Sequence, residues 1–242
     1  LKMGINVFVE KPVATTFGDL EMLKDAYKGT GLHLCAMFGL RYEPCFMAAW
    51  KAVKEGKIGK VRLMDAQKSY KLGVRNINYK KREIYGGTIP WVGSHAIDWL
   101  YWFSGEKFES VRAAHSTMYN RGHGELELSA LCHFTFSNEV FGSVCIDYLR
   151  PPRALSHGDD RMRAAGTAGV VEVRDGKACL INNETDAIIE LPLEEKQPIF
   201  SDFANQLKGI GKCLISAEDS FYVTEACLKA RQAADEKSIV YF

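Results

Sequence analysis

Two short stretches carry side chains suited to moving a proton. The first is Glu10-Lys11-Pro12, which ends the apolar run Ile5, Val7, Phe8 and Val9. That run has the length and β-branched content of a buried strand. Proline cannot continue a central strand, and it restricts the residue before it to an extended conformation. Lys11 is therefore presented from a stiff backbone at the carboxyl end of a strand, where open α/β sheets place their ligands. A surface Lys-Pro turn is the plainer reading of the tripeptide. The second stretch is Trp91-x-x-x-His95-x-x-Asp98. Spacings of four and three put these side chains on one helical face, and Val92, Ala96, Trp99, Leu100 and Phe103 form the apolar stripe. Histidine titrates near a pH of about 6.5. Lysine serves as a base only when burial or a neighbouring positive charge lowers its pKa from about 10. Lys11 and His95 together could form a proton relay; alternatively His95 is a core histidine bonded to Asp98.

These side chains need a framework to position them. Residues 1–38 read as strand, helix, strand. Thr16 with Asp19 three residues on is a weak capping box, and residues 32–38 return as a parallel strand on the right-handed crossover rule. No Gly-x-Gly-x-x-Gly turn occurs in the sequence, so this part is at most the tail of a doubly wound nucleotide fold. The chain opens at Leu1 almost directly in a strand, and we expect it to be cut from something longer. A helix over 45–55 follows, and residues 58–66 read as a turn into a long strand. Residues 68–85 are polar, basic and aromatic, and read as a loop: either a solvated surface or a lid over an anionic or polyhydroxy ligand. Pro90 suits the first turn of the next helix.

Residues 111–118, 126–136 and 140–148 alternate apolar and polar, the pattern of an antiparallel meander. Short strands over 161–167, 169–174, 178–181 and 187–191, helices over 200–207 and 217–234, and a strand over 239–241 complete the chain. The expected class is α+β: a large, mainly antiparallel open sheet with helices on one face, preceded by the β-α-β tail of a Rossmann fold. The expected division is residues 1–40 and residues 41–242, with the helix near 217–235 packing back on the first part.

The 242 residues are 47% hydrophobic and 25% charged, and 31 basic against 30 acidic residues leave a net charge of +1. That balance argues against a nucleic-acid or membrane surface. No apolar stretch approaches the roughly 20 residues of a membrane span, and no signal-peptide pattern opens the sequence. The seven cysteines are scattered without Cys-x-x-Cys spacing, and read as reduced core thiols of a cytoplasmic protein. The histidines share no metal-ligand spacing, so no metal is assigned.

Glu10-Lys11-Pro12, Gly39-Leu40-Arg41-Tyr42-x-Pro44, Gly59-Lys60-Val61, and Gly86-Gly87 with Gly93-Ser94-His95-Ala96-Ile97-Asp98 occur in one order, followed by Gly166-Thr167-Ala168-Gly169-Val170-Val171-Glu172. This set resembles the Gfo/Idh/MocA family of NAD(P)-dependent oxidoreductases across nearly the whole chain. The resemblance implies an N-terminal Rossmann domain, most of which this chain would lack, and a substrate and oligomerisation domain with an open sheet. It implies NAD or NADP as cofactor, largely bound by the missing part. It places Lys11 beside the nicotinamide and gives His95 acid/base work. Glu10, Lys11, Pro12 and Arg41 are then the expected cofactor contacts, although Arg41 could equally form a salt bridge at the domain junction. Tyr85, Trp91, His95 and Asp98 are the expected substrate contacts, with Asp98 orienting the imidazole.

The sequence departs from the family pattern where Trp91 stands four residues before the histidine in place of the usual aspartate. A lost carboxylate removes a charge partner, while an indole can stack on a sugar ring or nicotinamide. The implied reaction is hydride transfer between NAD(P) and a sugar, cyclitol or polyol. NAD-assisted glycoside hydrolysis and a non-catalytic ligand-binding relative are the alternatives. A homodimer or homotetramer through the uncovered sheet face is the expected assembly.

Overall fold

The structure, a computed structural model, describes every residue except Thr185. Strand β1 (Val7–Val9) leads to helix α1 (Phe17–Tyr27), and β2 (Leu34–Ala36) returns to pair with β1 in parallel. The Thr16 hydroxyl accepts the Asp19 backbone N–H at 3.1 Å, satisfying one of the orphan donors of the first turn. A 3-10 turn (Gly39–Tyr42) precedes α2 (Pro44–Lys54), whose first position holds a proline where a missing N–H breaks no bond. Then come β3 (Val61–Tyr70), a short turn (Ile77–Lys80) and the one-turn helix α3 (Arg82–Tyr85). A π-helical turn (Ile89–Gly93) runs directly into α4 (Ser94–Ser104). The remainder is β4 (Phe108–Ser116), β5 (Ser129–Phe136), β6 (Phe141–Asp147), β7 (Gly158–Gly166), β8 (Gly169–Arg174), β9 (Lys177–Asn182), β10 (Ile189–Glu190), α5 (Ile199–Leu207), α6 (Ala217–Glu236) and β11 (Ile239–Tyr241).

Nine strands form one sheet in the order β10-β9-β8-β7-β3-β6-β5-β4-β11. Every neighbouring pair is antiparallel except β3 and β6, which run parallel from Leu63 opposite Phe141 to Ser69 opposite Asp147. Alternation of side chains assigns Met64, Ala66, Phe134, Val144 and Ile146 to the buried face. There α2 packs on β8 and β9, α4 on β3 and β6, and α6 on β4 and β11. The opposite face leaves Leu63, Leu131 and Phe141 exposed. The chain is thus α+β with an open sheet covered by helices on one side, as its patterning implies. The strand entered by the turn at 58–60 spans Val61–Tyr70, running past the expected end at Ala66. The first three residues of the expected loop, Lys68 to Tyr70, belong to the ladder, because β6 and β7 supply partners on both sides.

Helix α6 holds the small parallel pair against the large sheet. Helix α6 starts with a complete capping box between Ser216 and Asp219. Its Phe221 and Leu228 bury against Leu20 and Leu34. Its Ser220 hydroxyl accepts the Ala36 backbone N–H at 3.0 Å, and its Thr224 hydroxyl accepts that of Val13 at 3.3 Å. Helix α4 lies close on the sheet: a Cβ on Gly93 would stand 2.3 Å from Ile146 Cδ1, so only glycine fits the approach. Trp99 of α4 is fully buried and stacks on Phe46 at 4.1 Å. Truncating a side chain packed this way costs about 3–5 kcal/mol. This packing fixes the end of β1 over the start of α4.

Candidate active site

Lys11 follows β1 and turns into the fold across a cis peptide bond to Pro12. Its ammonium donates a hydrogen bond to the Trp91 backbone carbonyl and lies 5.3 Å from the centre of the Trp91 ring. Burial draws its pKa from 10.5 down to about 8, with Glu10 opposing and the positive charge of Lys68 adding to the fall. Glu10 itself is exposed and Pro12 half-buried. The π turn that contains Trp91 inserts an extra residue ahead of α4. Trp91 lies across Lys11 and meets Tyr79 edge-on at 5.8 Å.

His95, in the first turn of α4, lines a cavity of about 630 Å³ together with Lys68, Tyr70, Asp159 and Asp160. Its Nδ1 is buried without a hydrogen-bond partner, and Phe38 meets its ring edge-on at 6.3 Å. Burial, then the charges of Lys11 and Lys68, hold its pKa well below the ordinary histidine range. The imidazole is neutral at pH 7. The other reading of the sequence, a core histidine bonded to Asp98, does not occur: Asp98 is bonded to Arg41.

Lys68 and Asp160 have no signal as a pair in the sequence. Strand β3 turns Met64, Ala66 and Lys68 to the helix-covered face, and β7 sets Asp160 directly opposite Lys68. The Lys68 ammonium donates to Asp160 Oδ2 at 2.5 Å and lies 4.7 Å from the Tyr70 ring. Asp160 Oδ1 has no partner. The alternation Met64, Ala66, Lys68 would have revealed the inward lysine had the strand been carried past Ala66. Among the described residues, no cluster of His, Cys, Asp and Glu could hold a metal ion.

Three expected contacts are engaged elsewhere. Arg41 and Asp98 form a buried two-pronged pair, Nη2–Oδ1 at 2.5 Å and Nε–Oδ2 at 2.9 Å. Arg41 also reaches the Leu214 carbonyl at 3.2 Å and Asp219 at 3.3 Å. Arg41 is buried within this cluster, and Asp98 does not orient His95; its carboxylate faces Arg41 of the 3-10 segment. Tyr85 is also buried, and its hydroxyl donates to the carboxylate of Glu127. Burial and the Glu127 charge push its pKa up, and its hydroxyl proton is engaged inside the fold. Of the expected site residues the fold gathers Lys11, Trp91 and His95, and adds Lys68 and Asp160.

A family model described as the GFO/IDH/MocA C-terminal domain matches residues 46–172. A candidate oxidoreductase of known structure from Thermotoga maritima is 54% identical with a TM-score of 0.96, covering 99% of this chain and 73% of that one. An inositol 2-dehydrogenase from Rhizobium meliloti is 27% identical over 124 residues, 51% of this chain and 37% of that protein. The fold is shared with a levoglucosan dehydrogenase solved with NADH and L-sorbose, at 18% identity and a TM-score of 0.84, covering 98% of this chain and 73% of that one. The stretches matched in curated relatives span 20% and 37% of those proteins' own lengths. With more than half of its length under the family model and its ordered motifs in place, the chain belongs to the Gfo/Idh/MocA family of oxidoreductases.

Proposed function

We propose that residues 41–242 form the substrate-binding part of an oxidoreductase that moves a hydride between NAD(P) and a hydroxyl-bearing carbon of a sugar, cyclitol or related polyol. Residues 1–40 are then the last part of its cofactor-binding domain. The observation that carries this reading is a lysine drawn to a pKa of about 8 beside a neutral, unpartnered histidine on a cavity wall. A general base works best with its pKa near the operating pH. The names of the inositol and levoglucosan relatives support a polyhydroxy substrate.

Bound NAD(P) supplies the hydride acceptor. Lys11 and His95 fit the reacting end of that cofactor, since each holds a buried polar group with capacity to spare, while the sequence contains no Gly-x-Gly-x-x-Gly turn for the phosphates. Neutral Lys11 takes the hydroxyl proton, and the Trp91 carbonyl holds its amine in place as the missing carboxylate would have done. His95, with one ring nitrogen a donor and the other an acceptor, holds the same hydroxyl in line. Lys68 donates to a neighbouring hydroxyl, and Asp160 Oδ1 accepts from the next.

The test offers sugars, cyclitols and polyols with NAD and with NADP to the longest natural form of the protein. Turnover that falls by about 10²–10⁴-fold in Lys11→Ala supports the reading. Tight ligand binding without turnover on any substrate contradicts it and favours a non-catalytic binding protein, the reading that Trp91 in the acid's place suggests.

The uncovered sheet face, with Leu63, Leu131 and Phe141 exposed at 45%, 53% and 43%, is the surface we assign to assembly of two copies. Light scattering should give a dimer or tetramer that Phe141→Asp dissociates; a monomeric native protein contradicts this assignment.

A further inference from the structure

Cys35 on β2 and Cys213 in the connection between α5 and α6 are 178 residues apart in the chain, yet their sulfurs lie 3.9 Å apart. Both are free thiols. Neither lines the cavity that holds His95 and Lys68. The backbone of Cys213 is fixed on both sides: its N–H donates to Gln206 Oε1 at 2.7 Å, and that of Leu214 donates to Asp202 Oδ2 at 2.8 Å. Cys35 is held in the ladder opposite Phe8. Two sulfurs this close, on backbones held by hydrogen bonds, stand within about 2 Å of the bonded distance of about 2 Å.

Their surroundings differ in the way a reactive pair requires. Cys35 is fully buried, while Cys213 is 9% exposed. Cys213 sits beside a cavity of about 300 Å³ whose walls include Tyr42, Asp202 and its own neighbours Lys212 and Leu214. The hydrogen-bonded contact with Cys35 draws the Cys213 pKa down to about 7 against the opposing effect of burial, and the Ile215 backbone N–H and the Tyr42 hydroxyl help. The same hydrogen bond and burial push Cys35 up. Thiolate character governs attack on peroxides and disulfides. Cys145 offers the internal contrast. It is exposed, but burial of its sulfur and the charges of Asp147 and Asp65 push its thiol up.

We propose that Cys213 and Cys35 are a reactive dithiol, which a hydroperoxide converts into a disulfide joining β2 to the segment between α5 and α6. The Cys213 thiolate attacks the terminal peroxide oxygen; an S–O bond forms, the O–O bond breaks, and the leaving alkoxide or hydroxide takes up a proton. The Cys35 sulfur then attacks the sulfenic sulfur of Cys213; the S–S bond forms, the S–O bond breaks, and water leaves with the Cys35 proton. Two thiols are oxidised and one peroxide is reduced to an alcohol, or to water, plus water.

The native protein would be treated with hydrogen peroxide below one equivalent, its remaining thiols alkylated, and the unreduced digest mapped by mass spectrometry. The expected product is a Cys35–Cys213 linked peptide pair, formed while Cys145 is still alkylated. Cys35→Ser should stop the sequence at a Cys213 sulfenic acid captured by dimedone, and Cys213→Ser should leave Cys35 unoxidised. Oxidation of Cys145 with Cys35 and Cys213 both alkylated overturns the proposal, as does oxidation of Cys35 in Cys213→Ser. Should either serine variant fail to fold, the wild-type map decides alone.

Discussion

His95 and Asp98 lie three residues apart on α4, each in a buried cluster of charge, and the two clusters follow opposite rules. Around Asp98, each charge is answered: Arg41 grips both carboxylate oxygens and turns its remaining donors to Leu214 and Asp219. Around His95, two lysines share a confined space with a neutral ring whose Nδ1 has no partner. A buried charge is tolerated when it is paired and hydrogen-bonded. The first cluster satisfies that rule and holds the 3-10 segment, α4 and α6 together. The second satisfies it only in part: Lys68 is paired with Asp160, but Lys11 meets a carbonyl instead of a carboxylate, and His95 Nδ1 and Asp160 Oδ1 have no partner. Local rules are broken in this way at sites where chemistry is done.

Removing one partner from each cluster should break the comparison most visibly. Asp98→Ala leaves Arg41 charged and buried with Asp219 alone at longer range, so urea unfolding should show a loss of about 3–5 kcal/mol. Lys11→Met should do the reverse. It removes the burial cost of the ammonium and its repulsion from Lys68, so stability is unchanged or higher at pH 7 while turnover is lost.

The next effect is in the pH dependence of that stability difference. Lys11 releases its proton near pH 8 when folded, against 10.5 ordinarily. Between those values the unfolded chain binds more protons than the folded one, so stability rises with pH through this window. Relative to Lys11→Met, the wild type should gain on the order of 3 kcal/mol from pH 8 to 10.5, read from unfolding midpoints. His95 acts in the acid range: its folded pKa is depressed, so its contribution is full above the ordinary histidine pKa and is lost as pH falls below it.

A smaller change tests the cavity. Asp160→Asn keeps shape but weakens the Lys68 hydrogen bond and the acceptor at Oδ1. KM should rise about tenfold, equivalent to about 1.4 kcal/mol, with kcat nearly retained. Smallest is Thr16→Ala, which removes the α1 cap far from both clusters. It should cost about 1 kcal/mol with kinetics unchanged.

Much of the fold was legible because its signals are local. Alternation located β8 over 169–174 and β11 over 239–241, and Thr16 with Asp19 marked the start of α1. The end of β3 was hidden because Lys68 and Tyr70 resemble loop composition until their partners on β6 and β7 are known. The parallel pairing of β3 and β6 has no local signature either. At the site, Lys11 and His95 stood out through their motifs. The fate of Arg41 and Asp98 was not legible, since a two-pronged pair across 57 residues depends on how a 3-10 turn faces a helix. The same holds for Lys68 with Asp160, 92 residues apart. Helix periodicity put Trp91 and His95 on one face but gave no sign of the π turn that holds Trp91.

The central claim is that Lys11 stands in a cluster left unsatisfied for proton transfer, and its own titration tests that most directly. Lysine side chains labelled with ¹³C next to the amine can be followed by NMR across the alkaline range, with Lys11→Met identifying the resonance. A midpoint near pH 8 is the result this account predicts. A midpoint at the ordinary 10.5 would mean that the ammonium is solvated or fully paired, and would contradict it.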